Sequence, residues 1–156
     1  MRKKVFLLFI ISLTMFFIYH LMGNSAVSHV TLPFSEDQVA GIDLYYYEGA
    51  PAAAEVRHVT AEDEIHHILS RCAAVSLIKE DNTPDDSAGG SAVIVRFLLR
   101  DGSDFRISCT DSYRLSIAGH SYRANISPLL WLWNNSPTPA QPVADDDPVI
   151  WGVWDE

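Results

Sequence analysis

Among the residues that could do chemistry, the histidines have the most suggestive spacing. His66 and His67 each follow an acid, Glu62 and Asp63, by four positions, which puts one imidazole and one carboxylate on the same side of a helix. A metal ion could take one such pair, with His58 or His120 brought in by the fold. Adjacent helical residues diverge by about 100°, which keeps His66 and His67 from sharing an ion, so solvated surface histidines are expected and no metal ligand is assigned. Asp81, Asp85 and Asp86, with Asn82 and Thr83, carry the oxygen ligands that calcium takes. They lack the Asp-x-Asp-x-Asp-Gly order of a calcium loop, and a solvated acidic loop is expected. Cys72 and Cys109 fall on surfaces that face one another across a helix and a sheet. A disulfide between them and a pair of buried thiols both fit, because an exported compartment permits a bridge while helix-to-sheet packing leaves the needed Cα separation unassured.

The arginines form the larger constellation. Arg96, Arg106, Arg114 and Arg123 sit on four consecutive alternating segments. If the apolar partners in each segment point inward, all four guanidinium groups point outward, with Arg96 opposite Arg106. Like charges in register repel, so an anion is expected to compensate them: an outside ligand, a lipid headgroup, a partner's acidic patch, or the chain's own Asp145-Asp146-Asp147; a hydrated face with diffuse self-compensation is the plainer reading. Trp151 and Trp154 follow that acidic run and complete the candidate ligand-binding set. No Gly-x-Ser-x-Gly, His-Glu-x-x-His, phosphate-cradling glycine loop or Cys-x-x-Cys occurs, so no catalytic residue and no cofactor is assigned.

The elements that must position these groups are read from periodicity. Gln38 to Tyr47 alternates, with Ala40, Ile42, Leu44 and Tyr46 on one side and Asp43, Tyr45 and Tyr47 on the other, the pattern of a half-buried strand. Glu55 to Val59 makes a second strand. Thr60-Ala61-Glu62-Asp63 has the form of a capping box, and Ala61, Ile65, Ile68, Leu69 and Cys72 share one arc of the following helix. Val75 and Leu77 suggest a short strand before a polar loop, Lys79 to Ser91.

Face consistency then selects turns. An Asp101-Gly102 two-residue turn would pair Phe97 with Arg106 and set the apolar residues of the two strands on opposite faces. A three-residue loop, Arg100-Asp101-Gly102 with Gly102 left-handed, pairs Phe97 with Phe105, Val95 with Ile107 and Val93 with Cys109. The same test predicts a Thr110-Asp111-Ser112 connection pairing Cys109 with Tyr113, and a Gly119-His120 turn pairing Ile117 with Tyr122. The expected fold is α+β: an antiparallel β-meander with one covering helix, the earlier strands at its edge, and a short apolar helix opened by Ser127-Pro128. Residues 37–134 form this domain. Residues 135–156, with four prolines and three consecutive acids, read as a disordered acidic tail, whose charge and indoles suit it to dock on its own domain in competition with an outside ligand.

An aromatic strand (Ile42-Asp43-Leu44-Tyr45-Tyr46-Tyr47), a Val59-Thr60 step into a helix ending Ile68-Leu69, and a meander with an Arg100-Asp101-Gly102 hairpin resemble small, uncharacterised, membrane-anchored extracytoplasmic domains of Gram-positive bacteria. The resemblance covers roughly residues 38–133 and rests on pattern. It implies a surface-exposed, non-enzymatic domain and carries over no catalytic residue.

The N-terminus agrees with that setting. Arg2, Lys3 and Lys4 precede an eighteen-residue apolar run, Val5 to Met22, and all twenty acids follow it. A bilayer core takes ~17 to 25 residues, and the charge asymmetry predicts a cytoplasmic N-terminus and an extracytoplasmic domain. A cleavable signal peptide ending at Ala26-Val27-Ser28 is the alternative; the domain is then secreted. Residues 23–36 are the linker. The chain has 156 residues, a net charge of −9 and a pI near 5.0, a balance that argues against nucleic-acid binding. The expected function is a membrane-anchored extracytoplasmic binding or accessory module with an anionic ligand or protein partner. A small metal-dependent or hydrolytic enzyme using the histidines is the alternative.

Overall fold

In the computed structural model, residues 28–49, 53–81, 91–110, 113–144 and 146–151 are described. The apolar run 5–22, the acidic positions Asp85 and Asp86, and Trp154 lie outside them. Among the described residues, no helix is long and apolar enough to cross a membrane.

Alternation organises most of these residues into one sheet. Strands β1 (Ser28–His29), β2 (Val39–Glu48), β3 (Glu55–Val59), β4 (Ser76–Glu80), β5 (Ser91–Leu99), β6 (Asp104–Thr110), β7 (Arg114–Ile117), β8 (His120–Ala124) and β9 (Gln141–Pro142) pair in the order β1-β4-β8-β7-β6-β5-β2-β3-β9. Every pair is antiparallel. The inner face is covered by helices α1 (Glu62–Ala73) and α2 (Ser127–Asn135). Between the layers, Ile65, Ile68, Cys72, Leu129 and Leu132 meet Ile42, Leu44, Val95, Phe97, Ile107 and Leu115. Full burial of one such aliphatic or aromatic side chain contributes about 1.5–3 kcal/mol, so this layer holds the fold.

The β5–β6 hairpin has the expected register, with Phe97 opposite Phe105, Val95 opposite Ile107 and Arg96 opposite Arg106. Its turn is Arg100-Asp101-Gly102. Gly102 adopts φ 86° and donates to the Leu99 carbonyl, while the Leu99 N–H donates to Ser103 O at 2.9 Å. The next two connections differ from expectation, each by two residues. Cys109 pairs with Leu115 rather than Tyr113, and Ile117 pairs with His120, leaving Tyr122 to Leu115. The second turn is Ala118-Gly119, both at positive φ (50° and 77°), as a two-residue hairpin of the favoured twist requires. A shift of two keeps every side chain on its face, so the apolar pattern could not distinguish these registers.

Helix α1 is capped differently from the capping-box reading. Ala61 is its N-cap and makes no side-chain cap; the Ile65 N–H donates to the Ala61 carbonyl. Glu62, Asp63 and Glu64 in the first turn complement the dipole instead.

The largest difference is at the C-terminus. Instead of a disordered tail, residues 136–144 and 146–151 return across the domain. The Glu64 carboxylate accepts from the Ser136 and Thr138 hydroxyls, the latter at 2.7 Å, and Arg57 donates to the Thr138 carbonyl. β9 then pairs with β3, and α3 (Pro148–Trp151) lays Val149 and Ile150 on the outer face of the sheet against Tyr45, Tyr47, Val56, Ala92 and Ile94. The sheet therefore has two cores. β5 shows it most directly, because Ala92 and Ile94 are as buried as Val93 and Val95.

Candidate functional site

The outer face divides into three zones, set by which residues the pleat turns outward. The first is the apolar half of β3, β2 and β5, closed by α3. The second runs across four strands in register: His58 on β3, Asp43 on β2, Arg96 on β5 and Arg106 on β6. The third runs across the other half, with Thr110 on β6, Arg114 on β7, Arg123 on β8 and Lys79 on β4.

The second zone is largely neutralised from within. Arg96 Nε donates to Asp104 Oδ2 at 3.0 Å and its Nη1 lies 4.0 Å from the Asp43 carboxylate. The Asp104 hydrogen bond raises the pKa of Arg96 further. Asp43 is buried and takes a 2.7 Å hydrogen bond from His58 Nδ1. Tyr45 joins the group through a 3.4 Å contact to Asp147 at the start of α3. Burial first, then the carboxylates of Asp43 and Asp147, push the Tyr45 phenol up to about 12. An Asp-His pair is half of a general-base relay, which a nucleophile must complete. Arg96 is thus a bridging cation beside a buried carboxylate, and its loss should cost about 1–3 kcal/mol.

The third zone aligns cations across three strands. Arg114 stands opposite Arg123, and Arg123 opposite Lys79, so three cations occupy adjacent strands. The Arg123 guanidinium lies 5.0 Å from the ring of Tyr113. A bulge in β4 sets two residues, Ile78 and Lys79, against Arg123, a local doubling that twists a strand and re-aims its side chains. Ile78 and Tyr113 are 61% and 47% exposed. Lys79, Tyr113 and Ile78 were not among the expected site residues. Lys79 fell in a stretch read as loop, and a bulge leaves no mark in residue type.

The remaining candidates separate. His66 Nδ1 meets Glu36 Oε2 at 2.9 Å, His67 packs on the Trp131 ring at 5.1 Å, and His120 Nδ1 meets Glu80 at 3.3 Å. Among the described residues no group of three or more His, Cys, Asp or Glu could hold a metal ion. Cys72 and Cys109 are buried as separate thiols rather than bridged. Burial pushes the Cys72 thiol up to about 12, and Cys109 Sγ donates to the Arg114 carbonyl at 2.9 Å; a thiol held protonated in a core is unreactive. Trp133 completes the core edge under Tyr46, whereas Trp131 stays 39% exposed beneath Arg71. The backbone of Trp151 ends α3. No protein-family model, no curated protein and no solved structure matches this chain.

Proposed function

We propose that this chain is a membrane-anchored extracytoplasmic binding module without catalytic activity, and that the cationic row Arg114, Arg123 and Lys79 is its interaction surface. One observation carries the reading. The chain's own acids neutralise the Arg96 zone and α3 closes the apolar zone, while Arg123 and Lys79 remain exposed on a protein whose residues after Met22 hold only eight basic side chains against twenty acids. Lys79 and Arg123 stand opposite one another on β4 and β8; like charges so placed cost stability, and an anion bound over them relieves that cost.

The test is retention of the full-length chain, in detergent, on immobilised polyphosphate. Arg123→Glu with Lys79→Glu should abolish retention at low salt, and raising salt to about 0.5 M should release the unmodified chain, because a Debye length near 4 Å screens such contacts. Arg96→Gln should have little effect, since Arg96 already has Asp104. Equal retention of the double reversal and the unmodified chain would remove this surface from consideration.

A further inference from the structure

The cationic row lies beside the place where the chain enters the sheet. β1 pairs Ser28 with Leu77 and His29 with Ser76, antiparallel to β4, so the N-terminal end of β1 points along β4 toward Ile78 and Lys79. Five residues, Gly23 to Val27, separate Ser28 from the apolar run, and five residues reach at most ~18 Å. Strands lie about 4.8 Å apart, which puts β4, β8 and β7 roughly 5, 10 and 14 Å from β1, and β5 with Arg96 roughly 24 Å away. A domain of this size is about 28 Å across even as twice its radius of gyration. If the apolar run is held in a bilayer, the tether is long enough for the membrane surface to reach Lys79, Arg123 and Arg114 while Ser28 stays beside it.

The side chains at that edge suit such a surface. Exposed large apolar side chains among the described residues are Ile78, Tyr113 and Trp131, and the first two flank Lys79 and Arg123. Tyrosine favours the headgroup level, lysine and arginine attract anionic lipid, and an isoleucine standing in water at a sheet edge is better covered. Charge elsewhere sharpens the preference. The part after Met22 is strongly acidic, so most of its surface is repelled by an anionic bilayer, and screening over about 8 Å leaves the local patch to decide which edge approaches.

We propose that the face formed by Ile78, Lys79, Tyr113 and Arg123 docks on the anionic phospholipid headgroups of the bilayer that holds the N-terminal segment, fixing the orientation of the domain. This inference rests on the anchored reading above. The tether makes docking intramolecular, so a weak headgroup affinity suffices.

The experiment uses the full chain reconstituted in vesicles of phosphatidylcholine alone or with about one third phosphatidylglycerol. An Ile78→Cys variant carries a polarity-sensitive fluorophore; Cys72 and Cys109 are 0% exposed and stay unlabelled. In the anionic vesicles the fluorophore should shift to the blue and resist quenching by acrylamide, with a roughly 30-fold change in the docked-to-undocked ratio expected from two cations near the surface. Salt at about 0.5 M should reverse the effect, as should Lys79→Glu with Arg123→Glu. Equal quenching in both lipids, while the chain still floats with neutral vesicles in high salt, would overturn headgroup docking and leave the anchor standing. Failure to float with neutral vesicles would overturn the anchor and, with it, the tether argument. Polyphosphate retention without lipid protection would assign the face to a soluble polyanion and overturn the proposal.

Discussion

Tyr45 shows at the residue scale how the two cores and the polar row constrain one another. Its ring belongs to the outer apolar cluster, while its hydroxyl reaches Asp147. The phenol is pushed from 10 up to about 12 by burial and by the carboxylates beside it. An acid whose folded-state pKa is raised keeps its proton in the fold and loses it when unfolded, so its stabilising contribution is complete below pH 10 and is lost as pH rises toward 12. Tyr45→Phe cannot ionise and should lose less stability across that window than the unmodified protein. Denaturant midpoints at about pH 9 and about pH 11 check this. An equal drop in both proteins would mean that Tyr45 does not carry the alkaline sensitivity. The same scale explains why the arginines could be placed by alternation yet not weighed: outward direction follows from the pleat, but Asp104 and the buried Asp43 beside Arg96 depend on which strands become neighbours.

Between elements, the closing contact is α3 on the outer face. Ile150 and Val149 are each 1% exposed and cover Tyr45 and Ile94, so Ile150→Ala should cost about 2–5 kcal/mol, as much as a truncation in the inner core. Chemical denaturation would measure it; a loss under about 0.5 kcal/mol would mean that the segment is only loosely laid down. The signals for this contact were partly present in the sequence. Ser91–Leu99 is apolar at successive positions, Ala92 to Val95, the mark of a strand covered on both faces, and Asp147-Pro148 is a helix start, realised here as an Asp147 Oδ1 acceptor for the Val149 N–H at 2.8 Å. Prolines and acids outweighed them in the reading of 135–156, because a four-residue helix shows no period. The first hairpin was legible to the residue, since the wrong turn would have put Phe97 and Phe105 on opposite faces. The next two turns were legible only to within an even shift, and the β4 bulge not at all.

For the whole molecule, the order of strands sets how the domain meets its surroundings. Two-residue strands close both edges, β1 at one and β9 at the other, which limits edge-to-edge pairing with other chains. The N-terminal segment enters at the β1 edge, and the C-terminal segment secures the opposite one. The proposal that the domain is exported rests on charge, since three basic residues precede the apolar run and all twenty acids follow it. Ser70 is exposed on α1, while Cys72 and Cys109 are 0% exposed, so a Ser70→Cys variant supplies one reactive thiol on a silent background. A membrane-impermeant maleimide applied to intact bacteria expressing the full chain should label it. Labelling only after lysis would place the domain in the cytoplasm and reverse the orientation. Labelled protein in the medium rather than with the cells would mean that the apolar run is cleaved, and the cationic edge would then meet its anion without a tether.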